Sequence, residues 1–369
     1  MKISKKSAII LAALVIIIAA IAGCVSSPEQ NSTGTPGQAA SVAVSPGILT
    51  APAGTGATCS PVTIMQTDGT PVTLPCRPER IIVANSDAAE MVIALGAADR
   101  IVGITESTQN VSYIMDKIPQ AESIGNWQTP NIEKMLALKP DVVISYSSSR
   151  PKNIDQILAA NITVISLDCY RLPTLASDAR AVGILTGNEK KAEEYAESIE
   201  NATALVRDRV ATVPQDQYPE VYFEGYSDLT AAGPGSGSDE LLTIAGGKNL
   251  AANLTTSSAK VSAEWVVSEK PAYIMKVLSS KETRPFSQIA ASMANRTGWD
   301  TIPSVQQHRL YLFNSGIEYG PKSFVGLLYT AKILHPSLFT DVDPARLLDD
   351  YAAEYVSGTN ATQPVYPAI

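Results

Sequence analysis

The sequence is poor in metal-binding residues and in positive charge. Its 369 residues include two histidines, His308 and His335, and four cysteines. A zinc site with several imidazole ligands cannot be built from this supply unless carboxylates provide most of the donors. The formal net charge is −8, which disfavours a nucleic-acid partner bound through its phosphates. The composition therefore argues against a metalloenzyme and against a nucleic-acid-binding protein.

The sequence also lacks the short motifs of common enzyme classes. It contains no Gly-X-Ser-X-Gly, no His-Glu-X-X-His and no Walker motif. We therefore predict that the protein is not an enzyme and has no intrinsic cofactor. Hydrophobic residues make up 45% of the chain, which is enough for sizeable cores and excludes a chain that is disordered throughout. The length predicts two domains of ordinary size.

Residues 1–24 have the pattern of an export signal. Three lysines within the first six residues precede an apolar run of about 15 residues, shorter than the roughly 20 that span a membrane. The tetrapeptide Ile21-Ala-Gly-Cys24 is similar to a lipobox, in which Cys24 carries the lipid. The alternative is an uncleaved N-terminal anchor helix. Either way we expect the folded part outside the cytoplasm, attached to the outer face of the membrane through a flexible tether over residues 25–59, which are rich in Ser, Thr, Pro and Gly.

Asn-X-Ser/Thr sequons are a second sign of export. Seven occur, more than chance predicts even in a chain rich in Ser and Thr. Glycosylation of these sites would indicate an archaeal cell surface. They begin at Asn31, Asn110, Asn161, Asn201, Asn253, Asn295 and Asn360.

Two cysteines flank a predicted hairpin at the start of the folded part. The turn Thr67-Asp-Gly-Thr70 separates two alternating segments, and Asp-Gly in this context is a strong hairpin signal. Cys59 and Cys76 lie nearly opposite each other about the turn, so a disulfide between them is plausible in an exported protein. Cys169 is then expected to be a small buried hydrophobic residue.

From Pro78 onward, apolar strand-like runs alternate with helical patterns. This alternation predicts α/β lobes with mainly parallel sheets covered by helices. It begins again at Glu220, and the two series are separated by a 22-residue amphipathic pattern over 189–210, which is about 33 Å long as a helix. We interpret that pattern as a long helix joining two lobes. The predicted parts are an N-terminal lobe (60–174), linking helices (175–210), a C-terminal lobe (211–357) and a tail (358–369).

One sequence unit occurs in both halves. Asn131-Ile-Glu133 is followed by Lys139-Pro140 and an apolar strand, and Ser262-Ala-Glu264 is followed in the same way by Lys270-Pro271. Each unit predicts an N-cap, an acidic first helical turn, a short helix that stops before proline, and a strand. Equivalent units in two halves suggest two lobes of similar topology.

These motifs resemble the periplasmic binding proteins for iron–siderophore complexes, haem and vitamin B12. The resemblance covers about residues 60–355 and includes the leading hairpin. The segments that carry it occur in order: Pro78-Glu-Arg-Ile-Ile-Val, Glu90-Met-Val-Ile-Ala-Leu-Gly-Ala, Asp99-Arg-Ile-Val-Gly-Ile, Gly125-Asn-Trp127, the two repeated units, Ala245-Gly-Gly-Lys-Asn, Tyr319-Gly-Pro and His335-Pro-Ser-Leu-Phe.

The resemblance implies a fold and a partner. It implies two Rossmann-like lobes joined by one long helix that allows little hinge motion, with the ligand in the cleft between them. It further implies that Glu133 and Glu264, one on each lobe, dock into arginines of the membrane permease. Paired Arg–carboxylate contacts of this kind fix the orientation of a complex. The alternative role of both residues is simple stabilisation of a helix N-terminus.

Candidate ligand-binding residues lie where strands end and loops begin, as in other open α/β sheets. Trp127 and Tyr146 match aromatic residues of the family member that binds vitamin B12, and rings at these positions suit a planar macrocycle or an aromatic chelate. Arg150 and Arg171 are candidates for pairing with an anionic chelate. Tyr226 and Tyr319 are candidates for the opposing lobe. For each of these residues, a packing or surface role is the alternative.

The leading hypothesis is a monomeric, lipid-anchored receptor that captures a metal chelate and delivers it to an ABC permease and its ATPase. An iron(III)–siderophore complex is the first candidate ligand. A corrinoid, haem, or a molybdate or tungstate oxyanion is the alternative. A receptor for free zinc or manganese shares the design but needs more histidine than this chain has. The scarcity of histidine thus favours recognition of a metal inside its chelate, with no metal ligand supplied by the protein.

Overall fold

Two sheets, one in each half of the chain, form the centres of two lobes. The computed structural model of the protein describes residues 59–279, 281–356 and 364–368. The predicted signal segment with Cys24 and the tether up to residue 58 lie outside these residues. Within the described part, no helix is both long enough and apolar enough to cross a membrane.

The N-lobe contains the leading hairpin and the first βα series. Its strands are β1 (Val62–Met65), β2 (Pro71–Leu74), β3 (Ile81–Val83), β4 (Ile101–Ile104), β5 (Glu122–Ser123), β6 (Val142–Ser145) and β7 (Val164–Ser166). Its helices are α1 (Ser86–Ala94), α2 (Glu106–Gln109), α3 (Ser112–Met115), α4 (Ile132–Ala137) and α5 (Ile154–Ala159), with a 3₁₀ turn at Ala98–Arg100.

The N-lobe sheet is fully parallel, with the strand order β5-β4-β3-β6-β7. Its central strand β3 is buried on both faces, because Ile81 and Val83 point into one hydrophobic cluster and Ile82 points into another. A strand with apolar residues on both faces needs helices on both sides. The uninterrupted apolar run in the sequence therefore forms a central parallel strand, as predicted.

The leading hairpin is attached to the edge of this sheet. Cys59 and Cys76 form a disulfide across it, with Cα atoms 5.4 Å apart, and Cys169 is a free, buried cysteine. At the hairpin turn, the Thr67 amide donates to the Ser166 carbonyl (3.1 Å) at the end of β7. The Thr67 hydroxyl donates to Asp178 (2.7 Å). The hairpin thus covers the open edge at β7.

Two helices connect the lobes: α6 (Leu172–Thr186) and α7 (Glu189–Val210). The bounds of α7 are those that the amphipathic pattern predicts. Its buried face carries Ala192, Tyr195, Ala196, Ile199, Val206 and Val210. The two helices approach closely where Gly183 faces Ala192, since a side chain on Gly183 would overlap the Ala192 methyl group.

The C-lobe contains the second series. Its strands are β8 (Glu220–Glu224), β9 (Thr230–Ala232), β10 (Lys248–Asn249), β11 (Ser258–Lys260), β12 (Tyr273–Leu278), β13 (Leu310–Asn314) and β14 (Val365–Tyr366). Its helices are α8 (Gly237–Ile244), α9 (Ala263–Glu269), α10 (Phe286–Ala294), α11 (Pro303–Gln306), α12 (Ser315–Glu318), α13 (Ser323–Leu334) and α14 (Pro344–Tyr351), which continues as a π-helical turn over Ala352–Val356. Short 3₁₀ turns lie at Gln215–Gln217, Trp299–Thr301 and Pro336–Leu338.

The C-lobe sheet is parallel at its centre and antiparallel at its edges. Strands β8, β12 and β13 are parallel neighbours, and β10 pairs in parallel with β8. Strands β9 and β11 extend one edge as antiparallel strands, and β14 pairs antiparallel with β13 at the other edge. The sheet therefore keeps the parallel centre that the βα alternation predicts and adds edge strands that the alternation does not predict.

The repeated sequence unit has the same structure in both lobes. The side chains of Asn131 and Ser262 cap the N-termini of α4 and α9. Lys139 and Lys270, each before a proline, adopt left-handed backbone angles with φ of 46° and 50°. The following strands, β6 and β12, are the parallel neighbours of β3 and β8. The two lobes therefore share the topology of their central parallel strands, as the repeat predicts, while the antiparallel edge strands belong to the C-lobe sheet.

One hydrophobic core is common to both lobes. It includes Val83 and Met91 of the N-lobe, Tyr195 of α7, and Phe223 and Val277 of the C-lobe. A smaller cluster lies on the outer face of each sheet. The lobe boundaries that the sequence predicts stay a prediction, because the lobes share this core and the described residues belong to one compact unit.

Candidate functional site

The loops at the carboxyl ends of both sheets line one cleft. Its volume is about 940 Å³. Tyr146 follows β6 on the N-lobe side, and Tyr226 and Ser315 follow β8 and β13 on the C-lobe side. Strand ends in open α/β sheets are the usual position of ligand sites. The cleft is therefore the candidate functional site.

Aromatic side chains cover both walls of the cleft. On the N-lobe wall, the ring centroids of Trp127 and Tyr146 are 5.7 Å apart and those of Tyr146 and Tyr170 are 5.8 Å apart, with interplanar angles of 82° in both pairs. On the C-lobe wall, the centroids of Tyr226 and Tyr319 are 6.1 Å apart. The structure thus brings together the four aromatic residues that the sequence singles out, although their contact with a ligand stays a prediction.

Tyr170 and Tyr113 also line the cleft, and neither is among the site residues predicted from the sequence. Tyr146 is selected because it follows the end of a strand. Tyr170 lies just beyond β7, so the same rule would also have selected Tyr170. Tyr113 is in the short helix α3, and nothing in its local sequence distinguishes it from a packed aromatic residue.

The two arginines predicted to bind an anionic chelate are not among the described residues that line the cleft. Arg150 lies 3.7 Å from Asp68 of the hairpin. Arg171, which precedes α6, forms an ion pair with Glu240 of α8. Each guanidinium therefore has a carboxylate partner within the protein, and a ligand contact for either arginine stays a prediction.

Asp87 places a carboxyl group at the base of the N-lobe wall. It lies in the first turn of α1, and the Tyr146 hydroxyl donates to its Oδ2 at 2.9 Å. Burial raises the pKa of Asp87 to about 7; the hydrogen bond from Tyr146 offsets part of that effect, and the charge of Glu90 adds to it. Asp87 therefore offers a carboxyl group that takes up or releases a proton near neutral pH.

A buried ion pair joins the lobes at the floor of the cleft. Glu90 of α1 pairs with Lys322, which precedes α13 and is 232 residues further along the chain. The hydroxyls of Tyr113 and Tyr351 also donate to Glu90, at 2.6 and 3.1 Å. The Lys322 ammonium lies 4.9 Å from the centre of the Tyr113 ring. Such a pair is stable only with this many compensating contacts.

The charges that line the described cleft are nearly balanced. They belong to Asp87, Glu90, Asp349, Lys281 and Lys322. Lys322 is neutralised by Glu90, so the lining has no positive excess. Among the described residues, no group of three or more His, Cys, Asp or Glu side chains is arranged to hold a metal ion.

Glu133 and Glu264 are exposed near the rim of the cleft, one on each lobe. The Asn131 amide donates to the Ile124 carbonyl just beyond β5, which places the start of α4 at the carboxyl edge of its sheet. The Val261 amide donates to the Leu229 carbonyl beyond β8, which places the start of α9 in the same way. Their role in permease docking stays a prediction.

Three carboxyl groups with raised pKa values predict an unusual dependence of stability on pH. Burial raises the pKa of Glu318 to about 8 and that of Asp178 to about 6, and Asp87 titrates near 7. Because these folded-state pKa values exceed the unfolded ones, the stability they contribute is present below about pH 4 and is lost as the pH rises through 6 to 8. We expect the free energy of unfolding, measured in urea, to fall between pH 5 and pH 9.

Replacing Glu318 by glutamine tests whether these carboxyl groups cause the decrease in stability. The variant should lose the part of the decrease that runs from about pH 4.5 to about pH 8, which is on the order of 4 kcal/mol. Replacing the exposed Glu197 by glutamine is the matched control and should leave the curve unchanged. An equally steep decrease in the Glu318→Gln variant would show that other groups cause it.

The comparisons with known proteins agree with this geometry. A family model described as periplasmic binding protein matches residues 81–315. The ABC transporter substrate-binding lipoprotein YvrC of Bacillus subtilis is 27% identical over 289 residues, which are 76% of this chain and 88% of that protein. A vitamin B12-binding protein of Yersinia pestis is 26% identical over 207 residues, 55% of this chain and 71% of that protein.

A solved structure shows the same fold. The Haemophilus influenzae protein MolA bound to molybdate superimposes with a TM-score of 0.68 at 22% identity, covering 80% of this chain and 98% of that one. The fold is therefore the two-lobe α/β fold with a long connecting helix that the sequence predicts. The chain belongs to the periplasmic binding protein family, and it is the substrate-binding protein of an ABC transporter rather than an enzyme.

Proposed function

We propose that the protein is a monomeric receptor, anchored outside the cytoplasm through a lipid on Cys24, that binds a bulky metal chelate in the cleft. It then delivers the chelate to the permease and ATPase of its ABC importer. The observation that carries this proposal is the arrangement of Trp127 and Tyr146 opposite Tyr226 and Tyr319 across a cleft of about 940 Å³. This volume is at the upper end of the range for small-molecule sites, roughly 300–1,000 Å³.

The balance of charge in the cleft supports a chelate without net charge. A tris-catecholate iron complex carries several negative charges and would call for a cluster of arginines. The described lining instead contains Asp87, Asp349 and the neutralised pair Glu90–Lys322, with Lys281 as the remaining cation. An iron(III)–hydroxamate siderophore is therefore the first candidate ligand. A corrinoid, the ligand class in the name of the Yersinia relative, is the second because it also presents a large ring face.

The molybdate of MolA receives less support from this cleft. A small oxyanion needs converging N–H and O–H donors and positive charge rather than opposed aromatic walls. The N-lobe side does offer hydroxyl donors, which belong to Ser86, Ser107, Ser112, Ser148 and Ser149. The size and the aromatic walls of the cleft nevertheless favour the larger ligand.

Thermal denaturation of the purified protein tests the proposal. An iron(III)–hydroxamate complex, cobalamin, haem, molybdate and bare zinc are added separately at about 100 times the expected dissociation constant. A matching ligand should raise the melting temperature by about 5 °C. A shift with molybdate alone, or with bare zinc alone, would overturn the assignment of a chelate.

Tryptophan fluorescence locates the bound ligand. Trp299 is buried in the C-lobe and Trp265 packs against the same cluster, whereas Trp127 lines the cleft. Quenching by the ligand should therefore disappear in a Trp127→Phe variant and persist in a Trp265→Phe variant. Quenching that survives the loss of Trp127 would place the ligand elsewhere.

A further inference from the structure

The loop that carries Tyr226 is short and strained. It connects β8 to β9, and within it Leu229 has a φ of 54°, a left-handed value that is rare for a residue with a branched side chain. Tyr226 is 56% exposed, yet its ring lies 6.1 Å from that of Tyr319 on the C-lobe wall. An exposed ring on a short loop keeps one position only if other residues fix the backbone of that loop.

A cluster of charges, three of them largely buried, lies directly under this loop. Glu224, the last residue of β8, is fully buried and accepts hydrogen bonds from Lys276 (2.8 Å), from both Nη atoms of Arg296 (2.6 and 2.9 Å) and from the Tyr222 hydroxyl (3.0 Å). Asp228 completes it, 3.3 Å from Lys276 and 3.0 Å from Arg296. We call Glu224, Asp228, Lys276 and Arg296 the Glu224 cluster.

The side chains of the Glu224 cluster contact one another and also hold the loop. The Lys276 ammonium, nearly fully buried, donates to the backbone carbonyls of Gly225 (3.1 Å) and Tyr226 (3.4 Å). Asp228 belongs to the loop and bridges Lys276 and Arg296. The loop is thus fixed on both sides of the Tyr226 side chain.

Stability alone is a weak reason for such a cluster. Replacing buried ion pairs by apolar residues of similar volume is often neutral or stabilising, because the desolvation of the charges offsets their attraction. A buried polar network does, however, specify one backbone arrangement. Here, the network specifies the backbone arrangement of the loop that carries Tyr226.

We propose that the Glu224 cluster is a positioning device for Tyr226, which holds the ring in its ligand-binding position before the ligand arrives. The proposal rests on the proposed function, because it takes Tyr226 as a ligand contact. A ring that is fixed in advance loses no conformational freedom on binding, so the cluster increases affinity without touching the ligand. Lys276 is then a positioning residue, and Tyr226 is the contact.

A double-mutant cycle tests the proposal, with affinity measured for the chelate that raises the melting temperature of the wild type. Tyr226→Ala and Lys276→Met should each weaken binding about three- to tenfold, the range expected for one aromatic contact. The double variant should be no weaker than Tyr226→Ala alone, because Lys276 acts only through Tyr226. Fully additive losses would overturn the proposal.

Hydrogen exchange measured by mass spectrometry gives a readout that needs no ligand. Lys276→Met should speed exchange in the peptide covering residues 225–229 and leave α9 unchanged. Asp228→Asn, at an exposed position, should show a smaller increase in the same peptide and serves if Lys276→Met fails to fold. Unchanged exchange at 225–229 in Asp228→Asn would also overturn the proposal.

A matched control separates positioning from general destabilisation. Ile157→Ala removes buried volume from the N-lobe cluster, to which no residue of the loop belongs, so it should lower the melting temperature and leave affinity unchanged. An equal loss of affinity in this control would assign the effect of Lys276 to stability. If no tested chelate binds the wild type, the proposed function fails, and the exchange result still decides whether the cluster holds the loop.

Discussion

Replacing both Glu133 and Glu264 by arginine should abolish transport of the ligand into cells while the affinity of the purified protein for the ligand stays unchanged. Both residues are exposed in the first turn of a helix at the rim of the cleft, one on each lobe. Removing one partner of a buried interfacial charge pair costs about 2–5 kcal/mol, so reversing two charges should lower uptake by at least about a hundredfold. Uptake of labelled ligand and binding by calorimetry measure the two quantities.

Glu197→Arg is the matched control for this experiment. Glu197 is exposed on α7, away from the two helix starts, and the substitution makes the same change in charge. It should leave both uptake and affinity unchanged. If the double variant loses affinity as well as uptake, Glu133 and Glu264 act in the cleft or in folding. If it transports normally, they do not dock the permease.

Much of the fold follows from local sequence patterns. The apolar run at Ile81–Val83 forms a strand buried on both faces, and the 3.6-residue periodicity of 189–210 gives the bounds of α7 without error. The repeated unit predicts two lobes of one topology, because the N-cap, the helix and the proline stop are each determined by neighbouring residues. Such signals need no knowledge of the rest of the chain.

The antiparallel edges of the C-lobe sheet could not be predicted in this way. Strands β9 and β11 have three residues each, and β14 has two. Segments this short show no clear hydrophobic periodicity, and their conformation is determined by pairing with a neighbouring strand. Strand β14 pairs with a partner some 50 residues away in the chain, so no local signal marks it.

Part of the candidate site can likewise be predicted from local sequence, and part of it cannot. The positions of Tyr146 and Tyr226 follow from the rule that ligands bind at strand ends. The pairing of Glu90 with Lys322 does not follow from any local rule, although a glutamate beside the apolar run Met91–Leu95 is itself a signal, since an isolated charge on a buried helix needs a partner. Only the tertiary structure identifies that partner as Lys322.

This pair also gives the largest expected effect on stability. Replacing Lys322 by methionine should lower the free energy of unfolding by about 3–5 kcal/mol at neutral pH, because it leaves Glu90 charged and buried without a counter-ion. Tyr113 and Tyr351 still donate to Glu90, but two hydroxyls do not replace an ammonium group. Urea denaturation at pH 7 measures the loss.

Two further variants distinguish an uncompensated charge from simple loss of contacts. The double variant Glu90→Gln/Lys322→Met removes the buried charge altogether and should be more stable than Lys322→Met alone. Lys332→Met is the matched control on α13, where the ammonium donates to the Val342 carbonyl and the expected loss is about 1 kcal/mol. Equal losses of unfolding free energy in the single and double variants would mean that packing around the Lys322 side chain, rather than its charge, joins the two lobes at the floor of the cleft.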